Sequence, residues 1–326
     1  HLVNKAALNN SIPFFSIKDG LTDGMQERWL EEIQMCSSFN LQQYKIEHAA
    51  PRKNMLVKAG AGTGKTYIMI SRIMYLCYIE NIAPGSLKER IAMITFTNEA
   101  ANNMKVRLKL CFENYYLLTG LNDFPKMMYH VEHMQISTIH SYALELIKKL
   151  GTADGFGQDL KITSGLYTRK KTLEEACERY LLEKIQEKPG YIESLGLPIY
   201  ELRQILLDFI SKLENKSIDA TVLSKEDFGE CADNPLLHEF IIHAIRETEQ
   251  SFLEQLAKNN MIFLGRVIVT LKNLVEKYAE KLVSLSKSSR YMFIDEFQDT
   301  DDIQIEVLQK ICNQAGYNMF IVGDIK

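Results

Sequence analysis

The sequence predicts an α/β protein, a parallel sheet flanked by helices with a mostly helical domain inserted into it. Short apolar runs alternate with helical patterns along the chain. Runs such as Tyr291-Met292-Phe293-Ile294 are apolar throughout rather than alternating, as strands covered on both faces require. From Gly151 to about residue 289, helical periodicity continues with no comparable strand run.

Taken in order, the expected strands are Met55 to Val57, Ile91 to Thr95, Gln135 to Ser137, Tyr291 to Ile294 and Met319 to Val322, and helical segments follow most of them. The inserted region carries helical patterns over Thr172 to Gln186, Tyr200 to Leu213, Leu236 to Ala257 and Ile262 to Leu285. Its crossings are expected at the glycine-rich stretch 151–157 and at 284–289. The expected organisation is therefore a discontinuous domain, 1–150 with 288–326, interrupted by an accessory domain at 151–287.

With 326 residues, 46% hydrophobic and 25% charged, the chain has the composition of a globular protein and the length for two cores. No apolar stretch approaches the roughly 20 residues that span a bilayer, and the N-terminus lacks a secretory pattern. The expectation is a cytoplasmic protein without a membrane partner. Six cysteines are scattered without a C-x-x-C pair, against both a disulfide framework and a zinc site. His130 and His133 have no Cys or acidic ligand set at matching spacing, so no metal is assigned to them. A net charge of −4 gives no global basic footprint; any nucleic-acid contact must be local. The chain begins with His1 and stops directly after an apolar run at 319–322, which reads as a piece of a longer protein.

Ala59-Gly60-Ala61-Gly62-Thr63-Gly64-Lys65-Thr66 joins an expected strand to an expected helix. Glycines let successive backbone N–H groups converge on phosphates, Lys65 reaches the β/γ oxygens, and the Thr66 hydroxyl can ligate Mg²⁺. The ligand this implies is a nucleoside triphosphate. The usual pattern opens with Gly where this chain has Ala59, a small methyl that leaves the cradle open. Tyr291 to Ile294 then ends in Asp295-Glu296. At the edge of a sheet beside a phosphate cradle, such an Asp partners Mg²⁺ and the neighbouring Glu orients and deprotonates the attacking water. Acids after a strand are also ordinary helix caps, and Asp299, Asp301 and Asp302 fit that role at least as well. Two adjacent carboxylates beside a triphosphate require a divalent ion.

Together these motifs resemble the first RecA-like domain of the UvrD/Rep family of superfamily 1 DNA helicases. Ala59 to Thr66 resembles motif I, Ile94 to Met104 motif Ia, Ile136-Ser137-Thr138-Ile139-His140-Ser141 the next DNA-contacting motif, and Asp295-Glu296-Phe297-Gln298-Asp299-Thr300 through Gln304 motif II. Val322-Gly323-Asp324 resembles the start of motif III, and Phe39 to Gln43 sits at the Q motif. The motifs cover about 40 to 150 and 290 to 326. The wording of 137–141 and 322–326 leans toward the RecB/AddA helicase–nuclease branch.

The resemblance implies a RecA-like ATP-binding domain that couples Mg-ATP hydrolysis to movement on single-stranded DNA, in DNA repair or recombination. It implies that Gln43 holds the adenine edge and that Gly60, Ala61, Gly62, Thr63, Gly64, Lys65 and Thr66 hold the phosphates; Tyr67 departs from the Arg that relatives often carry near the base, and its phenol either stacks there or packs the helix. Thr66 and Asp295 become the Mg²⁺ ligands, with Lys65, Asp295 and Glu296 as the catalytic set. Phe96, Thr97 and Asn98, with Thr138, His140 and Ser141, become DNA contacts on the resemblance, whereas the residues alone favour a core Phe and helix caps. Lys105, Arg107, Lys109, Lys148, Lys149 and Arg169 to Lys171 are candidates for a basic track, or for solvated helix faces. Gln298 and Gln304 are candidates for coupling the metal, water and DNA sites. Implied partners are a second RecA-like domain, which would complete the ATP site with arginines, and a nuclease or recombination subunit. The competing class is a non-motor ATPase that switches a partner.

Overall fold

The computed structural model describes residues 31, 34–35, 40–60, 62–215, 218, 220–229, 233–284 and 290–324. Ala61 and Phe39 lie outside the described residues. The chain divides into two compact units, His1–Glu145 with Lys272–Lys326, and Leu146–Leu271. The divisions fall inside helices Ile139–Leu150 and Val267–Lys277, where the sequence expectation was 151 and 287.

The first unit is built on a five-stranded sheet of β1 (Met55–Lys58), β2 (Ile91–Thr95), β3 (Gln135–Thr138), β6 (Arg290–Ile294) and β7 (Tyr317–Gly323), in the order β1-β7-β6-β2-β3. Every pairing is parallel, with Val57 opposite Val322, Phe293 opposite Phe320, Met93 opposite Phe293 and Thr95 opposite Thr138. All of β2 is buried, the signature of a strand covered on both faces. One face packs against α1 (Lys65–Ile79) and α2 (Asn98–Thr119). Met69, Ile73, Leu76, Met104, Leu108 and Phe112 meet Val57, Met93, Phe293 and Val322 there. The pleat turns Met292 to the other face, where the Cys312 thiol of α3 (Asp302–Ala315) donates to its sulfur at 3.5 Å. Crossovers of this kind carry every strand in the same direction, so all five C-terminal ends share one rim.

The second unit is mainly helical, with Leu166–Glu187, Ile199–Asn215 and Pro235–Lys258 enclosing Leu173, Cys177, Leu206, Ile210, Phe240 and Ile245. Asn234 caps the last of these helices by accepting from the N–H groups of Leu236 and Leu237, and Pro235 takes the first position, where no N–H is needed. The expectation of no strand in this region is corrected. β4 (Lys161–Thr163) and β5 (Met261–Phe263) form a parallel pair, and the helix expected from Ile262 begins only at Val267. Two apolar residues fit either period, and pairing with Ile162 decides between them. No described helix is long and apolar enough to cross a membrane.

Candidate functional site

The loop after β1 turns through left-handed glycines, Gly62 at φ 75° and Gly64 at φ 87°, a conformation that a Cβ would oppose. It delivers Lys65 to the first turn of α1, whose N-terminus has no side-chain cap, so its leading N–H groups are left for an anion. Thr66 follows, half-buried, and Tyr67 is exposed. Thr63 folds the loop on itself, its hydroxyl donating to Gly60 O at 2.7 Å. Gln43, on the short helix Leu41–Glu47, donates its amide to Thr63 O at 2.9 Å.

At the end of β6, Asp295 is 8% exposed and its backbone N–H bonds Ile94 O of the neighbouring strand at 2.9 Å. Its carboxylate accepts from the Glu296 N–H at 3.0 Å. Burial, and then the Glu296 charge, push the Asp295 carboxyl above the usual carboxylate range. Glu296 takes a left-handed backbone, φ 50° and ψ 47°, and meets Lys65 Nζ at 2.9 Å. The Gln298 amide, and then Lys65, hold its carboxyl below the usual value. Lys65 also meets the Asp324 carboxylate at 2.6 Å. Burial disfavours the ammonium, but its bonds to Asp324 and Glu296 outweigh this and raise its pKa above the ordinary lysine value.

Lys65 and the paired acids meet at one sheet rim, although β1 and β6 are not neighbours. β7 lies between them and brings Asp324 into the same cluster. On the other side of β6, the register of Thr95 with Thr138 sets Phe96 and Thr97, between β2 and α2, beside the direct passage from β3 into helix Ile139–Leu150. Phe96 is 55% exposed, outside the core. The Thr97 hydroxyl accepts from the Ala100 N–H at 3.1 Å as the cap of α2, and Asn98 is exposed in its first turn. Thr138 Oγ1 lies 3.0 Å from Ser141 Oγ, and His140 is half-buried, its pKa lowered by that burial.

The sequence model of the UvrD/REP helicase N-terminal domain matches residues 39–326. The chain belongs to that family. The ATP-dependent DNA helicase PcrA of Leuconostoc citreum is 24% identical over 93% of this chain and 33% of its own length. The ATP-dependent DNA helicase SRS2 of Saccharomyces cerevisiae is 25% identical over 90% of this chain and 23% of its own. The ATP-dependent DNA helicase Rep of Buchnera aphidicola is 27% identical over 82% and 34%. The chain thus spans about a quarter to a third of the length of these relatives. Its parallel five-stranded sheet is that of a RecA-like helicase motor domain.

In this UvrD/Rep domain, several groups that matter have weak sequence signals. Arg72 of α1 is buried and donates to Glu47 O, Ala49 O and Ala50 O at 2.6, 2.5 and 3.0 Å, fixing the chain after the Gln43 helix. Burial lowers its pKa to about 10. His48 stacks on Tyr44 at 4.0 Å and tilts against Tyr75, joining the same two helices. Asp324 stood in a recognised motif but had no assigned role. Gln298 bridges Glu296 and the Asp324 N–H, whereas Gln304 donates to Asp301 at 3.3 Å. The basic track is corrected at one place: Arg169 is 5% exposed and paired with Glu249, whereas Lys109 pairs with Glu132 at the surface.

Proposed function

We propose that this chain is the nucleotide-binding motor unit of an ATP-dependent DNA helicase or translocase. The observation that carries this reading is the 2.9 Å ion pair between Lys65 and Glu296, groups 231 positions apart, at the end of a glycine-rich loop. Lys65 and the uncapped N-terminus of α1 would hold the β/γ phosphates, while Gln43 and Tyr67 take the base.

The donor set fits a magnesium ion. Asp295 is a buried carboxylate with a raised pKa and a second acid beside it, so the site carries more negative charge than Lys65 neutralises. Among the described residues no group of three or more His, Cys, Asp and Glu is gathered as a ligand set. Asp295 and the Thr66 hydroxyl would hold the ion, with phosphate oxygens completing it. Bound there, it would supply neutralisation of phosphate charge. Glu296 would orient and deprotonate the attacking water. Passing Lys65 to the phosphates removes one of the groups that keep its pKa low, which makes it a better base.

Phe96 would stack on an unpaired base, with Thr97, Asn98, Thr138, His140 and Ser141 contacting phosphate or sugar at neighbouring strand-to-helix junctions. Closure against a second RecA-like domain would convert hydrolysis into movement on single-stranded DNA. The expected setting is cytoplasmic, in repair or recombination, with a nuclease partner an open possibility for the RecB/AddA-like wording.

The test is paired binding and turnover measurement. Lys65→Ala should weaken Mg-ATP binding by roughly 30-fold or more, from the loss of one partner of a charged pair. Phe96→Ala should weaken single-stranded DNA by about 1–3 kcal/mol, the worth of one stacked base. If Phe96→Ala leaves DNA affinity unchanged while Lys65→Ala abolishes nucleotide binding, the chain is a nucleotide-controlled switch rather than a motor. Turnover of this chain alone should be slow and little stimulated by DNA, and strong stimulation would show that arginines from a second domain are dispensable.

A further inference from the structure

We infer that Asp324 is an internal stand-in for the nucleotide, its carboxylate occupying the Lys65 ammonium until phosphate displaces it, with Gln298 tying that displacement to Glu296. The inference deepens the nucleotide-site reading above and rests on it.

The geometry closes a ring. Lys65 Nζ has three donors, and two are directed at carboxylates, Asp324 at 2.6 Å and Glu296 at 2.9 Å. The shorter bond goes to the residue delivered by β7, not to the acid of the Asp295-Glu296 pair. The Gln298 amide donates to Glu296 Oε2 at 2.5 Å, and its carbonyl oxygen accepts from the Asp324 N–H at 2.8 Å. One side chain thus holds the two anions that share Lys65. The approach is close enough that a side chain before Asp324 would press on Gln298. A Cβ at Gly323 would lie 3.0 Å from the Gln298 oxygen and 3.3 Å from Phe297 Cβ. The Ala59 N–H donates to Gly323 O at 3.1 Å, tying the start of the glycine-rich loop to the residue before Asp324.

A triphosphate reaching Lys65 meets two carboxylates already there, and like charges at that distance repel. Glu296 keeps a second hydrogen bond from Gln298 and a role toward water. Among the described residues Asp324 has Lys65 as its one ion-pair partner, and it is the group that leaves. Its side chain is 31% exposed, so the route out is open to solvent. Nucleotide binding is then an exchange of one anion for another, and its affinity is lowered by the anion already in place.

Calorimetric titration of the 326-residue chain with Mg-ADP and with a non-hydrolysable Mg-ATP analogue tests this. Asp324→Asn and Asp324→Ala should each bind both ligands about two- to fivefold tighter than the unmodified chain, the range expected for removing a partly exposed competing ion pair. Gln298→Leu should shift affinity in the same direction by a smaller factor, and thermal unfolding checks that each variant is folded. Unchanged or weaker binding in both Asp324 variants overturns the inference. A loss seen with magnesium and absent in EDTA also overturns it, assigning Asp324 to the metal instead. If the unmodified chain binds neither ligand, the nucleotide reading itself falls. If it binds, loses binding with Lys65→Ala and is indifferent to Asp324→Asn, only the stand-in role falls.

Discussion

Lys65 in the sheet unit and Arg169 in the helical unit both face carboxylates, yet they are enclosed very differently. The side chains of Glu296 and Asp324 that hold Lys65 are 38% and 31% exposed, at the rim of the sheet. Arg169 meets Glu249 at 2.9 Å with both residues buried, and its guanidinium lies over the rings of Phe252 and Phe263 at 4.4 and 4.6 Å. An anion at the rim can be exchanged for another that arrives from water. One sealed beneath two phenyl rings cannot leave without the surrounding helices opening. In this chain the accessibility of an ion pair, rather than its presence, separates a site of chemistry from a structural fastening.

The largest test of that contrast is Glu249→Ala, which leaves a buried guanidinium without its anion. It should cost about 3–5 kcal/mol in denaturant unfolding, whereas replacing both partners by Arg169→Met with Glu249→Leu should recover most of the loss. A cost below about 1 kcal/mol would show that the pair is as exchangeable as the rim cluster. Next in size, Lys65→Ala should change unfolding free energy by no more than about 1 kcal/mol, because its partners regain water when it is lost. A larger loss would make the rim cluster architectural as well.

The smallest effect is that of pH on the sheet unit. Burial holds the His48 and His140 imidazoles below the ordinary histidine pKa. Below about pH 6.5 the unfolded chain takes up protons at these rings that the folded chain resists, so their stabilisation is complete above that pH and is lost as pH falls. Melting curves between pH 7.5 and 5.5 should show the decline, and His48→Gln should flatten it.

The strands were legible because their apolar runs have no polar face to hide. Tyr291 to Ile294 and Ile91 to Thr95 appear where the residues put them. Their order in the sheet was not legible, since the choice of neighbour depends on how the chain crosses over rather than on local pattern. That is why β7, and Asp324 with it, came between the two halves of the proposed nucleotide site. Arg169 was misread for a related reason. It stands in an Arg-Lys-Lys run that looks solvated, and the carboxylate that permits its burial is 80 positions away. Arg72 carries even less signal, because its partners are backbone carbonyls, which every sequence has. The phosphate loop and the paired acids were readable because each needs particular side chains at fixed spacing.

Three non-glycine residues among those described have left-handed backbones, and two of them are asparagines, which tolerate it. The third is Glu296, where conformation favours glycine while the contacts to Lys65 and Gln298 demand a carboxylate. Holding a glutamate there costs roughly 1–2 kcal/mol. A laboratory selection for heat resistance alone would therefore tend to enrich Glu296→Gly, and the survivors would be sturdier molecules emptied at the position proposed to activate water.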